Sequence, residues 1–137
     1  MTRYDYLIIG GGIAGVTAAE TIREQDPVPT VGIISYEPHP LYSRVLLPAY
    51  LKKKIRREQL FLRHADDFSK KRIDLRLSED VSFVDTKKRA VGLSGRTAIG
   101  YGKLLIASGG RVKRWGNEED QESVYRLQTL DDADRLL

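Results

Sequence analysis

Two short apolar runs near the N-terminus predict buried strands. Tyr4–Ile9 ends in four consecutive apolar residues and Thr30–Ser35 is mostly apolar, which is typical of parallel strands covered on both faces. Between them, Ile13–Glu24 has helical spacing, and its expected packing face consists of Ala14, Gly15, Ala18, Ala19 and Ile22. Strand, helix and strand fit within about 35 residues, the size of one right-handed βαβ unit. We therefore assign residues 1–36 to such a unit.

The pattern changes after the second strand. Residues 37–72 are irregular, with short helices expected near Pro48–Lys53 and Ala65–Lys71. Residues 73–101 predict a β meander, because turn residues at 85–88 and 94–95 separate short apolar runs. Its expected strands are Ile73–Leu77, Val81–Val84, Arg89–Leu93 and Thr97–Tyr101.

Residues 102–137 are expected to form a return strand, a turn and the start of a helix. The strand is Lys103–Ala107, the turn is Ser108–Gly110, and the helix begins at Leu130. With about two turns, that helix is too short to be stable without packing, and we interpret it as the start of a longer segment. The predicted fold class is α/β: a parallel sheet with a βαβ unit, a small antiparallel β excursion, and a domain continued beyond this chain.

Composition narrows the function. Hydrophobic residues make up 41% of the 137-residue chain and charged residues 31%, so a real core is expected. No apolar stretch is long enough for a membrane helix and no signal peptide is evident, so we expect a cytoplasmic protein without a membrane partner. With no cysteine and only two histidines, neither a metal site nor thiol chemistry is expected. Redox chemistry would need a bound organic cofactor.

The net charge of +4 comes largely from three basic clusters. The longest is Lys52–Arg57, and the smaller ones are Lys70–Arg72 and Lys87–Arg89. No aromatic residue is interleaved with these clusters, so nucleic-acid binding is not expected. Solvated surface is the favoured interpretation of each cluster.

The candidate binding site is the loop Gly10-Gly11-Gly12-Ile13-Ala14-Gly15, which matches G-x-G-x-x-G between a buried strand and a helix. In such a loop Gly10 makes the tight turn, Gly12 lets the backbone approach a diphosphate, and Gly15 lets the helix lie close to the strand. Free N–H groups and the positive helix dipole then hold the anion. A glycine-rich turn without a ligand is the alternative.

An acidic residue is expected near the end of the second strand, to accept hydrogen bonds from ribose hydroxyls. Glu37 occupies that place, close to the usual spacing of about 20 residues. A carboxylate there would repel a 2′-phosphate. The alternative is an ordinary loop carboxylate.

Four segments resemble the FAD-dependent pyridine-nucleotide reductases with two dinucleotide domains, above all the branch of rubredoxin and ferredoxin reductases and the nitrite reductase large subunit. They are Tyr6–Gly15, Glu37–Leu47, Val81 and Tyr101–Gly110, the last similar to the branch's "Y-D-x-L-x-x-A-T-G" motif. The resemblance implies an FAD-binding segment in which Ile13, Ala14 and Gly15 lie against the diphosphate. It also implies that Tyr36 or Glu37 binds the adenosine ribose.

The same resemblance implies roles for later residues. Arg44 would reach the diphosphate or flavin, the backbone of Val81 would meet the adenine, and Ala107, Ser108 and Gly109 would wrap the middle of the cofactor. A surface arginine and a core valine are the alternatives for Arg44 and Val81. Relatives with thiol chemistry carry cysteine near Val45, so those branches are disfavoured.

We therefore expect the complete protein to be an FAD-dependent oxidoreductase that passes electrons from NAD(P)H to a ferredoxin, a rubredoxin, a reductase subunit or a metal centre. No catalytic residue can be named. An FAD-dependent amine oxidase or monooxygenase, or a non-catalytic flavin-site subunit, is the alternative. The chain alone is expected to be inactive, with the FAD site completed by further sequence, a dimer mate or a partner chain.

Overall fold

The computed structural model describes residues 1–113 and 124–137. In this part of the chain the strands are β1 (Arg3–Ile9), β2 (Val31–Ile34), β3 (Ile73–Arg76), β4 (Val81–Asp85), β5 (Ala90–Leu93) and β6 (Ala98–Ile106). The α-helices are α1 (Ile13–Gln25), α2 (Leu47–Leu51), α3 (Ala65–Lys70) and α4 (Leu130–Leu136). Single 3-10 turns lie at Arg44–Leu46 and Arg57–Leu60.

The described chain forms two compact units. The first unit comprises Met1–Leu41 and Arg63–Gly109, and it holds the whole sheet with α1 and α3. The second unit comprises Tyr42–Leu62 and Gly110–Leu137, and it holds α2 and α4. No helix among the described residues has the length and apolar character needed to cross a membrane.

The sheet of the first unit has the order β3-β2-β1-β6-β5-β4. Strands β3, β2, β1 and β6 pair in parallel, while β6, β5 and β4 pair antiparallel. The predicted fold class is thereby confirmed: β1, α1 and β2 form the βαβ unit, and β4 and β5 form the antiparallel excursion.

Strand β3 differs from the expected meander because it pairs in parallel with β2 at the opposite edge of the sheet. Its first two positions alternate, with Ile73 buried and Asp74 exposed. Such alternation is typical of half-buried antiparallel strands, but an edge strand of a parallel sheet produces it equally well. The sequence pattern could not distinguish the two.

Strand β6 is continuous, so the prediction of separate strands at Thr97–Tyr101 and Lys103–Ala107 was wrong. Its first residues, Ala98–Gly100, pair with β5, and the strand runs beside β1 from Gly100 to Ile106. A Cβ on Gly102 would lie 2.7 Å from the carbonyl oxygen of Asp5. Glycine therefore lets β6 pass close to β1 without interrupting the pairing.

The apolar runs of β1 and β2 are buried on both faces, as predicted. On one face Ile8 and Ile33 pack with Val16, Ala19 and Phe68 of α1 and α3. On the other face Leu7 and Ile34 pack with residues from the antiparallel strands, namely Val91, Leu93, Ile99 and Tyr101.

Helix α1 uses most of its expected packing face. Gly15, Val16 and Ala19 are buried, and Ala18 and Ile22 are partly buried against the same core. Ala14 is exposed instead, because it belongs to the first turn above the glycine loop.

A charge cluster ties α1 to the segment around α3. The carboxylate of Glu20 accepts hydrogen bonds from Arg63 at 2.9 and 3.2 Å and from Lys71 at 2.7 Å. The Arg63 hydrogen bond is the main cause that lowers the pKa of Glu20 from 4.5 to about 2, while burial opposes it and Lys71 assists.

This pKa shift predicts a pH-dependent contribution to stability. Because the folded pKa is depressed, the contribution is fully present above 4.5 and is lost as pH falls toward about 2. We expect Glu20→Gln to destabilise the folded protein by roughly 1–2 kcal/mol near neutrality, after allowing for solvent screening. Urea unfolding from neutral pH down through this acidic range measures the loss of stability, with exposed Glu24→Gln on the same helix as control. A Glu20→Gln deficit that does not shrink in acid would contradict the assignment.

The second unit gives α4 the packing that its sequence did not reveal. Leu130 and Ala133 are fully buried with Tyr42, Leu47 and Leu60. The N-terminus is capped because Thr129 Oγ1 accepts from the Asp132 N–H, and the Asp132 carboxylate accepts from the Thr129 N–H. The packing that so short a helix requires is therefore supplied by residues of the second unit.

Long-range polar contacts complete the second unit. The Leu130 N–H donates to the buried hydroxyl of Tyr42 at 2.9 Å. The carboxylate of Asp134 accepts from Tyr50 at 2.8 Å and from the Arg57 guanidinium at 3.0 Å. Arg57, the last residue of the basic cluster Lys52–Arg57, thus helps to hold this unit together.

Candidate functional site

The carboxyl ends of three neighbouring parallel strands meet at one edge of the sheet. Strands β2, β1 and β6 end at Ile34, Ile9 and Ile106, which stand beside one another in register. The loops that follow them are Ser35–Glu37, Gly10–Gly12 and Ala107–Gly109. Ligands of open α/β sheets bind at this edge. The fold therefore brings together three of the segments selected from the sequence.

Two glycines of the loop Gly10–Gly15 are required by the fold itself. Gly10 has a φ of +117°, and a Cβ there would collide with the carbonyl oxygen of Ala107. A Cβ on Gly15 would collide with the carbonyl oxygen of Gly10, so α1 can approach the loop only without a side chain. The Gly10 N–H donates to the Ile34 carbonyl at 2.8 Å, which ties the start of the loop between β1 and α1 to the end of β2.

Gly12 has no such structural reason to be glycine. It caps α1 with an ordinary φ of −78°, and in the part of the chain that the structure describes a Cβ there would meet nothing within 4 Å. The Val16 N–H donates to the Gly12 carbonyl at 3.0 Å, so the preceding N–H groups of the helix have no intrahelical acceptor. Gly12, Ile13 and Ala14 are all exposed. An open helix start without a side chain fits an approaching diphosphate.

The turn after β6 flanks the glycine loop on the side opposite to the segment after β2. The Ala107 N–H donates to the Ile9 carbonyl at 2.8 Å, which extends the pairing of β1 and β6 by one residue. Gly109 has a φ of +65°, a conformation that favours glycine, and among the described residues nothing lies within 4 Å of where its Cβ would be. Ser108 and Gly109 are exposed at the same edge of the sheet.

The segment after β2 begins with a buried serine that sequence reasoning did not select. Ser35 is 6% exposed, and a Cβ on Gly11 would lie 2.9 Å from its Cβ and Oγ. Tyr36 is exposed and Glu37 is half-buried. The proximity of Gly11 and Ser35 therefore joins the proposed phosphate and ribose contacts into one surface.

The two remaining site residues have different surroundings. Val81 begins β4, pairs with Leu93 and packs against the core. Its side chain therefore has the place expected of a core valine, the alternative given for it above. The predicted contact of its backbone with adenine stays a prediction. Arg44 is exposed and begins a 3-10 turn of the second unit. Its predicted reach to the cofactor also stays a prediction.

No three potential ligand side chains come together as a metal site in residues 1–113 and 124–137. The features that the edge of the sheet offers are instead an open helix N-terminus, a carboxylate-bearing segment and a glycine turn. These features suit a dinucleotide, whose diphosphate can bind at the helix N-terminus and whose ribose can bind at the carboxylate.

Comparison with known proteins agrees with this geometry. The family model described as pyridine nucleotide-disulphide oxidoreductase matches residues 4–137. The ferredoxin–NAD(+) reductase component of the 3-phenylpropionate/cinnamic acid dioxygenase of Photorhabdus laumondii subsp. laumondii is 34% identical over 99% of this chain and 35% of its own length.

Two solved structures extend the likeness to three dimensions. NADH:rubredoxin oxidoreductase from Clostridium acetobutylicum has a TM-score of 0.89 and 26% identity over 98% of this chain and 35% of its own. The covalent putidaredoxin reductase–putidaredoxin complex has a TM-score of 0.85 and 26% identity over 98% and 33%.

This chain spans about a third of the length of these relatives. Family members use FAD and NAD(P)H. The match over nearly all residues, together with the glycine loop at the carboxyl end of β1, establishes that the chain belongs to the pyridine nucleotide-disulphide oxidoreductase family.

Proposed function

We propose that this chain holds FAD in a flavoprotein that passes electrons from NAD(P)H to a protein acceptor. The observation that carries the proposal is the open start of α1, where Gly12 leaves space that the fold does not need. A loop that served only as a turn would require Gly10 and Gly15 but not Gly12.

Each part of the carboxyl edge has a role in this proposal. The N–H groups of Ile13 and Ala14 and the helix dipole bind the diphosphate. Glu37, assisted by Tyr36, accepts hydrogen bonds from the adenosine ribose, and the Ala107–Gly109 turn lies along the middle of the cofactor. When bound, FAD supplies hydride acceptance from NAD(P)H and onward electron transfer.

Arg44 is proposed as an additional anion contact. A guanidinium can donate to two phosphate oxygens at once, whereas an ammonium acts as a point charge. No acid–base side chain of this chain is assigned to the reaction. The contribution of the protein is the position of the cofactor and the electrostatic environment around it.

The acceptor is proposed to be a small electron-carrier protein. One relative is named as a reductase of ferredoxin and one as a reductase of rubredoxin, and a third is captured with putidaredoxin. The experiment is anaerobic addition of NADH, then NADPH, to the flavin-loaded native protein, followed by oxidised ferredoxin or rubredoxin. Rapid bleaching by one nucleotide and recovery on adding the carrier support the proposal. Absence of bleaching by either nucleotide would overturn it.

The basic segment Lys52–Arg57 offers a surface for such a carrier. Lys52, Lys53, Lys54 and Arg56 are exposed, whereas Arg57 is paired with Asp134. Exposed cations raise the association rate of an acidic partner, and salt screens them beyond a Debye length of about 10 Å.

We expect replacement of the three lysines by glutamine to slow reduction of an acidic carrier by roughly three- to tenfold at low ionic strength and to flatten the salt dependence. Stopped-flow rates across ionic strength measure this. The matched control neutralises three other exposed lysines, Lys70, Lys87 and Lys88. If both triple variants respond alike, the segment has no specific role in docking.

A further inference from the structure

The turn between β3 and β4 is locked by an ion pair. The Arg76 guanidinium donates to the Glu79 carboxylate twice, from Nε at 2.9 Å and from Nη2 at 2.7 Å. Both side chains are only about a quarter exposed, at 27% and 28%. Between them Ser78 has a φ of +57°, a left-handed conformation that non-glycine residues adopt only when the surroundings hold them there.

The backbone of this turn is hydrogen-bonded to the segment after β2. The Ser35 N–H donates to the Arg76 carbonyl at 2.8 Å, and the Glu79 N–H donates back to the Ser35 carbonyl at 3.0 Å. The Ser78 N–H donates to the Glu37 carbonyl at 3.2 Å. Three backbone hydrogen bonds thus fix the path of residues 35–37 where they leave the sheet.

The turn is also anchored to the interior of the sheet. The ring of Tyr4 in β1 lies over Gly32 of β2, where a Cβ would come within 2.9 Å of it, and its hydroxyl donates to Asp74 of β3. Burial, and then this hydrogen bond, raises the pKa of Tyr4, and Arg76 interacts with the same hydroxyl. Arg76 is therefore held from the sheet side by Tyr4 and from the turn side by Glu79.

We propose that the Arg76–Glu79 turn is a positioning element for the adenosine half of the dinucleotide, acting through Ser35–Glu37. This inference rests on the proposed function, because it assumes that the ribose is bound at the end of β2. A carboxylate on a loop makes a strong ribose contact only when the loop is held in place, and the turn supplies that support. None of its residues needs to touch the ligand.

The ion pair joins residues three apart on a partly exposed turn, and such pairs contribute little to global stability. An effect on nucleotide affinity can therefore be separated from an effect on folding. Glu79→Gln keeps the size of the side chain and removes its charge. Exposed Glu24→Gln is the matched control at a distance in sequence.

For each variant of the native apoprotein, the experiment measures the affinity for FAD, the affinity for ADP as a competitor of FAD binding, and the melting temperature. We expect Glu79→Gln to weaken FAD and ADP by the same factor, roughly tenfold, with the melting temperature within the range of the control. Unchanged FAD affinity, a loss for FAD without one for ADP, or a parallel fall in melting temperature would each overturn the inference.

A bulky Gly12 variant in the same series separates this inference from the function on which it rests. If Gly12→Val retains FAD affinity, the proposed function fails. If Gly12→Val loses FAD while Glu79→Gln binds normally, the proposed function stands and only the role of the turn is refuted.

Discussion

Replacement of Gly12 by valine should abolish FAD binding by the native protein while its apoprotein stays folded. The fold has room for the new Cβ, since none of residues 1–113 and 124–137 lies within 4 Å of it, and the φ of −78° suits any residue. The isopropyl group would instead fill the space where the diphosphate must approach the N–H groups of α1. Losing two charge-assisted hydrogen bonds of about 1.5–3 kcal/mol each corresponds to at least a roughly 100-fold loss of affinity.

Equilibrium dialysis with FAD, alongside circular dichroism, measures both parts of this expectation. Gly15→Val is the informative control, because its Cβ would collide with the Gly10 carbonyl and should destabilise the fold itself. Normal FAD affinity in a folded Gly12→Val variant would contradict the assignment of the loop.

The second large effect concerns the isolated 137-residue chain. We expect it to bind FAD weakly or not at all and not to oxidise NAD(P)H. The sequence contains a single G-x-G-x-x-G loop, the one proposed to hold FAD. The relatives are about three times as long. A helix dipole contributes about 1–2 kcal/mol at best, which cannot replace contacts to the rest of FAD.

Flavin fluorescence during titration of the isolated chain, followed by anaerobic NADH, tests this expectation. The comparison is the protein purified from its natural source, with whatever further sequence or subunits it has there. A purified partner chain can also be added to the isolated chain to learn whether the site is completed in trans. Stoichiometric binding with rapid bleaching by the chain alone would show that these residues form a self-sufficient flavoenzyme.

The parts of the fold that follow from local sequence were predictable. The unbroken apolar runs identified β1 and β2 as strands buried on both faces, and the glycine spacing placed the start of α1. These features depend on residues within about one βαβ unit, where side-chain periodicity and glycine conformation decide the structure.

The wrong predictions and the missed contacts arose where distant residues decide the structure. The partner of β3 lies about 40 residues earlier in the chain, and the packing of Leu130 depends on Tyr42. No local pattern reports either contact. The hairpin after β5 is instructive as well, because the positive φ falls on Arg96 and not on the neighbouring Gly95 that marked the turn.

The candidate site shows the same division. Gly10, Gly12 and Gly15 were selected from spacing, and the structure separates them by steric requirement, since a Cβ is excluded by described residues at Gly10 and Gly15 but not at Gly12. Ser35 and the Arg76–Glu79 turn were missed, because the hydrogen bonds that join them connect residues about 40 positions apart.

The most direct test of the central claim is the flavin content of the purified native protein. A glycine loop that holds FAD predicts the visible absorbance of oxidised flavin, and after denaturation the release of FAD in a one-to-one ratio with the chain. A native protein that carries no flavin, and takes up none from excess FAD, would contradict the assignment of this loop as an FAD site.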